Sequence, residues 1–360
     1  MKNILPAFVI VSILFLTLGK ADAQGAGIEW QTLNEEAMDL GRQGQYGRAV
    51  TVAQAALKVA GQNVGPEHPD VATSLNNLAE LYRTQGEYAK AEPLYKRSLA
   101  IKEKVLGPKH PAVATSLNNL AALYANQGED AKAEPLYKRS LAIREKALGP
   151  EHPDVATSLN NLALLYFHQR EYGKAEPLYK RSLAITETAL GPEHPAVALS
   201  LNNLAGLYDN QGEYAKAEPL YKRSLAIREK AMGPEHPDVA TTLHNLAGLY
   251  YTQGEYAKAE PLYKRSLATT EKALGPKHPK VATSLHNLAA LYKTQGEYAK
   301  AEPLYKRSLA ILEKALGPEH PNVATSLENL AGLYRATKRT TEAERLDARA
   351  ELIRARNRAK

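Results

Sequence analysis

Seven asparagines recur at a spacing of 42 residues: Asn77, Asn119, Asn161, Asn203, Asn245, Asn287 and Asn329. An Asn side chain offers a donor and an acceptor, as a peptide unit does, so a row of them can hold the backbone of an extended peptide whatever its sequence. The same row can instead bond the neighbouring repeat and stiffen a stack, and the residue types leave both roles open. A second, less regular row runs beside it: Asn76, Asn118, Asn160, Asn202, His244, His286 and Glu328. Three nearby positions vary from copy to copy while their surroundings hardly change. Position 80 and its equivalents read Glu80, Ala122, Leu164, Gly206, Gly248, Ala290 and Gly332. The next read Arg83, Ala125, Phe167, Asp209, Tyr251, Lys293 and Arg335, beside Thr84, Asn126, His168, Asn210, Thr252, Thr294 and Ala336. Spacings of three and four place them on one helical face. The expected division of labour is that asparagines hold a ligand backbone while Arg83, Phe167, Asp209, Tyr251 and Lys293 meet its side chains. Neutral drift on a solvated face is the competing reading.

Other chemistry finds little support. Seven of ten histidines sit singly in Gly-Pro-x-His-Pro linkers (His68, His110, His152, His194, His236, His278, His320), without a second ligand at zinc spacing. Standing just before a helix-starting proline, they are expected to cap or pack. His244 and His286 lie in the second row, where titration near pH 6–7 is a conceivable control on binding. No phosphate loop, zinc-protease motif or nucleophile elbow is present. Glu87 and Glu92 recur on a charged face rather than in a pocket able to shift a pKa. No catalytic residue, cofactor or metal is expected.

These residues ride on a 42-residue unit that starts at Gly65 and returns at Gly107, Gly149, Gly191, Gly233, Gly275 and Gly317. The decapeptide AEPLYKRSLA recurs letter for letter from Ala91, Ala133, Ala175, Ala217, Ala259 and Ala301. A fixed period of this kind marks an array whose units pack on their neighbours. Within a unit, Pro69 opens a helix, the stripe Val71, Leu75, Leu78 and Tyr82 continues it, and Gln85-Gly86 closes it. A second helix is predicted from about Tyr88 to Val105. Its apolar set Tyr88, Ala91, Leu94, Tyr95, Leu99, Ile101 and Val105 is wide enough to need cover from two sides. Lys90, Glu92, Lys96 and Arg97 are left as a solvated face, with Glu92 and Lys96 in the favourable i,i+4 order. Pro93, inside this helix in every full copy, removes one backbone hydrogen bond and is expected to bend it.

The residues Leu78-Ala79, Tyr82, Gly86, Tyr88, Ala91 and Tyr95 stand where the tetratricopeptide repeat carries its small and aromatic positions. With LNNLA, QGEY, AEPLYKRSL and the GPxHP linker at a period of 42, the chain resembles the repeats of kinesin light chains and their bacterial relatives. The resemblance covers Gly65 to about Tyr334. It implies an all-α fold, a right-handed α-solenoid of about eight helix-turn-helix repeats. It also implies that first helices line a concave surface, that the variable positions face a ligand, and that the groove asparagines of LNNLA bond a peptide backbone. The kinesin N-terminal coiled coil is absent, so a motor-adaptor role is not implied.

The ends differ from the middle. Residues 24–64 are a worn copy, since Asn34, Gly44, Tyr46 and Ala49 fall 42 residues before Asn76, Gly86, Tyr88 and Ala91. At residues 335–360, Lys338, Thr340, Arg345 and Asp347 replace the expected Gly, Tyr, Pro and Tyr. Both stretches are expected to cap the 65–334 array. Residues 1–23 have the pattern of a cleaved secretory signal: Lys2, the apolar Ile4–Leu18 stretch, then Ala21-Asp22-Ala23. With no cysteine in the chain, an exported bacterial protein, periplasmic or released, is the simplest expectation. The formal charge of +7 sits mostly at the end, where nine basic residues from Arg335 onward face four acidic ones. The array therefore lacks the basic footprint of a nucleic-acid binder. A protein or peptide ligand held by a non-catalytic scaffold is the expected function. Two alternatives remain: an assembly platform of the cell envelope acting through caps or lateral surfaces, and contact of the basic tail with anionic lipid or polysaccharide. Neither the oligomeric state nor the ligand follows from the residues.

Overall fold

The computed structural model describes residues 27–358, so the leader expected at 1–23 lies outside the described residues. Sixteen α-helices and no strand occur among them. They fall into two compact units that divide after Leu148. The first unit holds α1 (27–42), α2 (Tyr46–Val64), α3 (Pro69–Thr84), α4 (Tyr88–Leu106), α5 (Pro111–Asn126) and α6 (Asp130–Leu148). The second holds α7 (Pro153–His168), α8 (Tyr172–Leu190), α9 (Pro195–Asn210), α10 (Tyr214–Met232) and α11 (Pro237–Thr252). It continues through α12 (Tyr256–Leu274), α13 (Pro279–Thr294), α14 (Tyr298–Leu316), α15 (Pro321–Ala336) and α16 (Thr340–Arg358). Each odd-numbered helix pairs with the even one after it, and within each unit each pair packs on the next. The chain is an all-α solenoid of helical hairpins, and the worn stretches at both ends form complete pairs.

Local chemistry fixes the helix boundaries. Pro69 and its equivalents occupy the first helical turn, where a missing N–H costs nothing. The preceding histidine caps the helix: Nδ1 of His68 accepts from the Asp70 N–H at 3.2 Å, and the other six linker histidines do the same at 3.1–3.2 Å. Such a cap is worth about 1 kcal/mol, and it requires Nδ1 to be unprotonated. At the other end the Glu87 N–H reaches back to the Tyr82 carbonyl at 2.9 Å, with Gly86 at φ +77°. Arg170 and Lys338 hold this left-handed position without being glycine, at φ 60° and 63°.

Small residues let paired helices approach. Ala79 and Ala91 are fully buried, and the same two sites are alanine, also fully buried, in every full copy. Buried hydroxyls fasten the hairpin: Ser98 Oγ donates to the Ala72 carbonyl at 2.6 Å, and Ser182 to that of Ala156 at 2.8 Å. Helix α4 runs on through Pro93 to Leu106. Its expected stripe is narrower than the apolar residues suggest. Val105 is 48% exposed, because it lies on the last turn before Gly107, where five other copies carry alanine. In its place Ser98 and Lys102 are buried. In the second unit Arg228 fills the site corresponding to Lys102 and donates to the Asp238 carbonyl at 2.7 Å and to Thr242 Oγ1 at 2.8 Å, tying one repeat to the next.

The charged face is also not wholly solvated. Glu92 pairs with Lys96 at 2.6 Å, as expected, but it also accepts the Tyr124 hydroxyl of the next repeat at 2.9 Å. Tyr208–Glu176, Tyr250–Glu218, Tyr292–Glu260 and Tyr334–Glu302 repeat this bond at 2.8–3.3 Å. The basic tail is a helix, and many of its charges are partnered. Arg335 bonds Asp347, Arg349 meets Glu313 at 2.6 Å, Arg354 meets Glu328 at 2.6 Å and Arg356 meets Glu319 at 2.7 Å.

Candidate ligand-binding cleft

The two polar rows interlock. Asn77 Nδ2 donates to Asn34 Oδ1 at 3.0 Å, Asn119 to Asn76 at 2.9 Å, Asn203 to Asn160 at 2.7 Å and Asn245 to Asn202 at 3.1 Å. These four residues of the regular row thus reach the less regular row of the preceding repeat. Asn161 holds the equivalent place on α7. Asn287 Nδ2 meets His244 Nε2 at 2.6 Å, which makes Nε2 the acceptor and leaves the imidazole neutral. Asn329 turns back on its own helix, donating to the Thr325 carbonyl at 2.8 Å. Of the two roles open to these asparagines, bonding between repeats is the one their side-chain amides perform here. It takes up one donor and leaves the other amide hydrogen.

The variable residues behave differently from one another. Arg83 donates to Glu80 Oε2 through Nε at 2.9 Å, and the same oxygen receives the Tyr95 hydroxyl at 2.6 Å. Its guanidinium is therefore already partnered: burial opposes its charge, and the hydrogen bonds and attraction of Glu80 more than offset this and hold it in its charged form. Tyr251 bonds Thr294 Oγ1 at 2.8 Å and tilts against Tyr256 with ring centroids 5.7 Å apart. Lys293 extends its ammonium over Gly332, within 2.8 Å of where a β-carbon would stand.

Phe167 and Asp209 converge. Both line a cleft of about 360 Å³ in the second unit, with Leu164, Asn203, Asn245 and Asn287 around them. Its floor is made by Tyr221 and Tyr263, 3% and 5% exposed, from the second helices α10 and α12. Their hydroxyls lie beneath Gly206 and Gly248, 3.4 and 3.6 Å from the β-carbon each glycine lacks. The sequence assigned these tyrosines to the core, and their rings are indeed buried. The readable signal was the glycine fifteen residues earlier, which uncovers the hydroxyl.

Burial pushes the Asp209 carboxyl up to about 6. Desolvation first, then Tyr251 and Asp209, raise the Tyr263 phenol to about 12. The two histidines of the second row titrate lower than expected. Burial depresses His244, and burial followed by Lys293 depresses His286, so both stay neutral further into acid than the pH 6–7 range expected for them. No cluster of metal-ligating side chains occurs among the described residues.

Comparison with known proteins agrees with this architecture. The family model described as "Tetratricopeptide repeat" matches residues 31–104, 85–146, 112–188, 154–230, 197–272, 238–314 and 294–354. A putative kinesin light chain with nearly identical TPR-like repeats from Podosopora anserina is 31% identical, covering 57% of this chain and 97% of its own, with a TM-score of 0.48. The apo form of the quorum sensor NprR from B. thuringiensis shares the fold at 15% identity, covering 91% of this chain and 87% of its own, with a TM-score of 0.64. The Rap protein complexed with Competence and Sporulation Factor does so at 15% identity, covering 93% and 98%, with a TM-score of 0.54. No curated protein matches the chain. With seven overlapping matches running from residue 31 to residue 354, the chain belongs to the tetratricopeptide repeat family.

Proposed function

We propose that this protein is a non-catalytic scaffold that holds extended peptide segments of a protein partner against the face formed by its first helices. The cleft beneath Gly206 and Gly248 carries this reading. In this stretch two glycines, an acidic and an aromatic residue stand together around a space over buried hydroxyls. Ligand pockets of this kind combine apolar walls with a few convergent polar groups. The fold shared with the Rap protein, whose complex holds Competence and Sporulation Factor, supports the scaffold class without naming a ligand here. The leader pattern at residues 1–23 supports export, which N-terminal sequencing of protein recovered outside the cytoplasm would test.

The scaffold reading is tested with a photocrosslinking residue placed at position 210, on the exposed rim of the cleft, or at position 222, on the charged face of α10. Each protein is irradiated with a biotin-labelled mixture of degenerate nine-residue peptides. Adducts at 210 and not at 222 are expected. Adducts only at 222, or at neither site, overturn the reading.

A further inference from the structure

We propose that the cleft is an arginine-reading pocket, in which Asp209 receives the guanidinium of a bound peptide. The inference rests on the scaffold reading and goes beyond it by naming the side chain that the pocket selects.

Charge complementarity carries the argument. Among the residues lining the cleft, Asp209 is the one carboxylate, and no lysine or arginine is present. Its carboxylate makes no hydrogen bond or ion pair with another described residue. The molecule shows elsewhere how such a group is normally treated: in the first unit Glu80 receives both Arg83 and Tyr95. Asp209 stands at the position equivalent to Arg83, and Gly206 replaces the glutamate, so both partners of that arrangement are missing. What remains is a half-buried negative charge without its cation. Leaving such a group unpaired is costly, and a ligand that brings the cation recovers the cost.

The rest of the cleft suits a guanidinium better than an ammonium. Tyr221 and Tyr263, both more than nine-tenths buried, make no hydrogen bond to another described residue, and each hydroxyl can accept one. The electrostatic influence of Asp209 reaches both phenols. Asn203, Asn245 and Asn287 have each committed an amide hydrogen to the neighbouring repeat, which leaves the lining rich in acceptors. A planar group with five donors uses several acceptors at once, whereas an ammonium acts as a compact point charge. Phe167, which also lines the cleft, adds an aromatic ring of the kind on which a guanidinium stacks.

The test uses the full chain on an array of degenerate nine-residue peptide pools, each with one fixed central residue: Arg, Lys, citrulline, Gln or Glu. Citrulline keeps the shape of arginine and removes its charge. The Arg pool is expected to bind about tenfold or more tighter than the citrulline and Glu pools, with Lys between them. Asp209→Asn is expected to abolish the difference between Arg and citrulline. The exposed Glu351→Gln on α16 removes one negative charge away from the cleft and should preserve it. Unchanged or higher thermal stability of Asp209→Asn shows that the variant is folded. Binding of all pools with no preference for Arg overturns the arginine pocket and leaves the scaffold standing. A preference that survives Asp209→Asn also overturns it, because the charge then reads another surface. Binding of no pool overturns the scaffold reading itself, and the pocket with it.

Discussion

Tyr95 donates its hydroxyl hydrogen to Glu80 at 2.6 Å, and the equivalent hydroxyl of Tyr221 lies under Gly206 with no such acceptor. The two tyrosines occupy the same place in the repeat and differ in what covers them. Position 80 therefore acts as a lid over the hydroxyl of the second helix. A glutamate closes it, while a glycine opens it. Opening has a cost, since glycine in a helix interior is about 1 kcal/mol less favourable than alanine.

Gly248→Ala tests that cost. The added β-carbon would stand 3.6 Å from the Tyr263 hydroxyl, an ordinary contact, and other copies already carry Ala122 and Ala290 at this site. The variant should gain about 1 kcal/mol in denaturant unfolding while peptide binding in the cleft weakens. A gain in stability with undiminished binding would show that the glycine serves no ligand.

Asp209→Asn should change how stability depends on pH. The carboxyl is raised from 3.8 to about 6 by burial, so the folded state favours the protonated form. That contribution is full below pH 3.8 and is lost as pH rises through about 6. At pH 7 the asparagine variant should be the more stable by about 1 kcal/mol, after discounting for the solvent exposure of the site, and the difference should vanish near pH 4. Melts of both proteins at pH 4, 5, 6 and 7 provide the check. A pH-independent difference would mean that Asp209 is not desolvated.

His244 should produce a slope of the opposite sign. Burial lowers its pKa, so folding favours the neutral ring, and Nε2 is engaged by Asn287 at 2.6 Å. This contribution is present above the ordinary histidine value of 6.5 and is lost as pH falls below it, because the unfolded chain protonates first. His244→Asn restores the residue found in four other copies and should reduce the slope below pH 6.5, leaving the share of the likewise depressed His286 and His320. Because Asp209 titrates in the same window, the comparison is made in the Asp209→Asn background. Identical slopes with and without His244 would exclude it as the titrating group.

How much of this was legible depends on how far apart the partners lie. Helix boundaries were readable because Pro69, His68 and Gln85-Gly86 act within one turn of the backbone they cap. The Glu80–Arg83 pair was also within reach, since two opposite charges three apart on a helix are neighbours and only this copy carries them. Treating Arg83 as a free ligand-facing cation overlooked that spacing. The bond from Tyr124 to Glu92 spans 32 residues, and that from Asn119 to Asn76 spans 43. Both depend on the offset between stacked repeats, which a periodic sequence does not encode. The cleft needs such an offset too, because Phe167, Asp209 and Tyr263 come from three consecutive repeats of the second unit.

Arg170 carries the last prediction. Five of the seven copies from Gly65 onward place glycine at this turn, and the structure shows why: the residue after the helix adopts φ 60°, where a β-carbon crowds the backbone. The turn is nevertheless made, with the Glu171 N–H reaching the Tyr166 carbonyl at 2.8 Å, so the strain is borne by Arg170 and not relieved by a different turn. Holding a non-glycine residue there costs about 1 kcal/mol. Arg170→Gly should therefore stabilise the protein by up to about 1 kcal/mol, less what glycine adds to the entropy of the unfolded chain. The measurement is the urea midpoint of the variant against the parent at constant slope. A lower midpoint would mean that the Arg170 side chain contributes more to the folded state than its backbone strain removes. The cleft should be unaffected, since Arg170 does not line it. A variant stabilised here thus offers a firmer background for Asp209→Asn and His244→Asn.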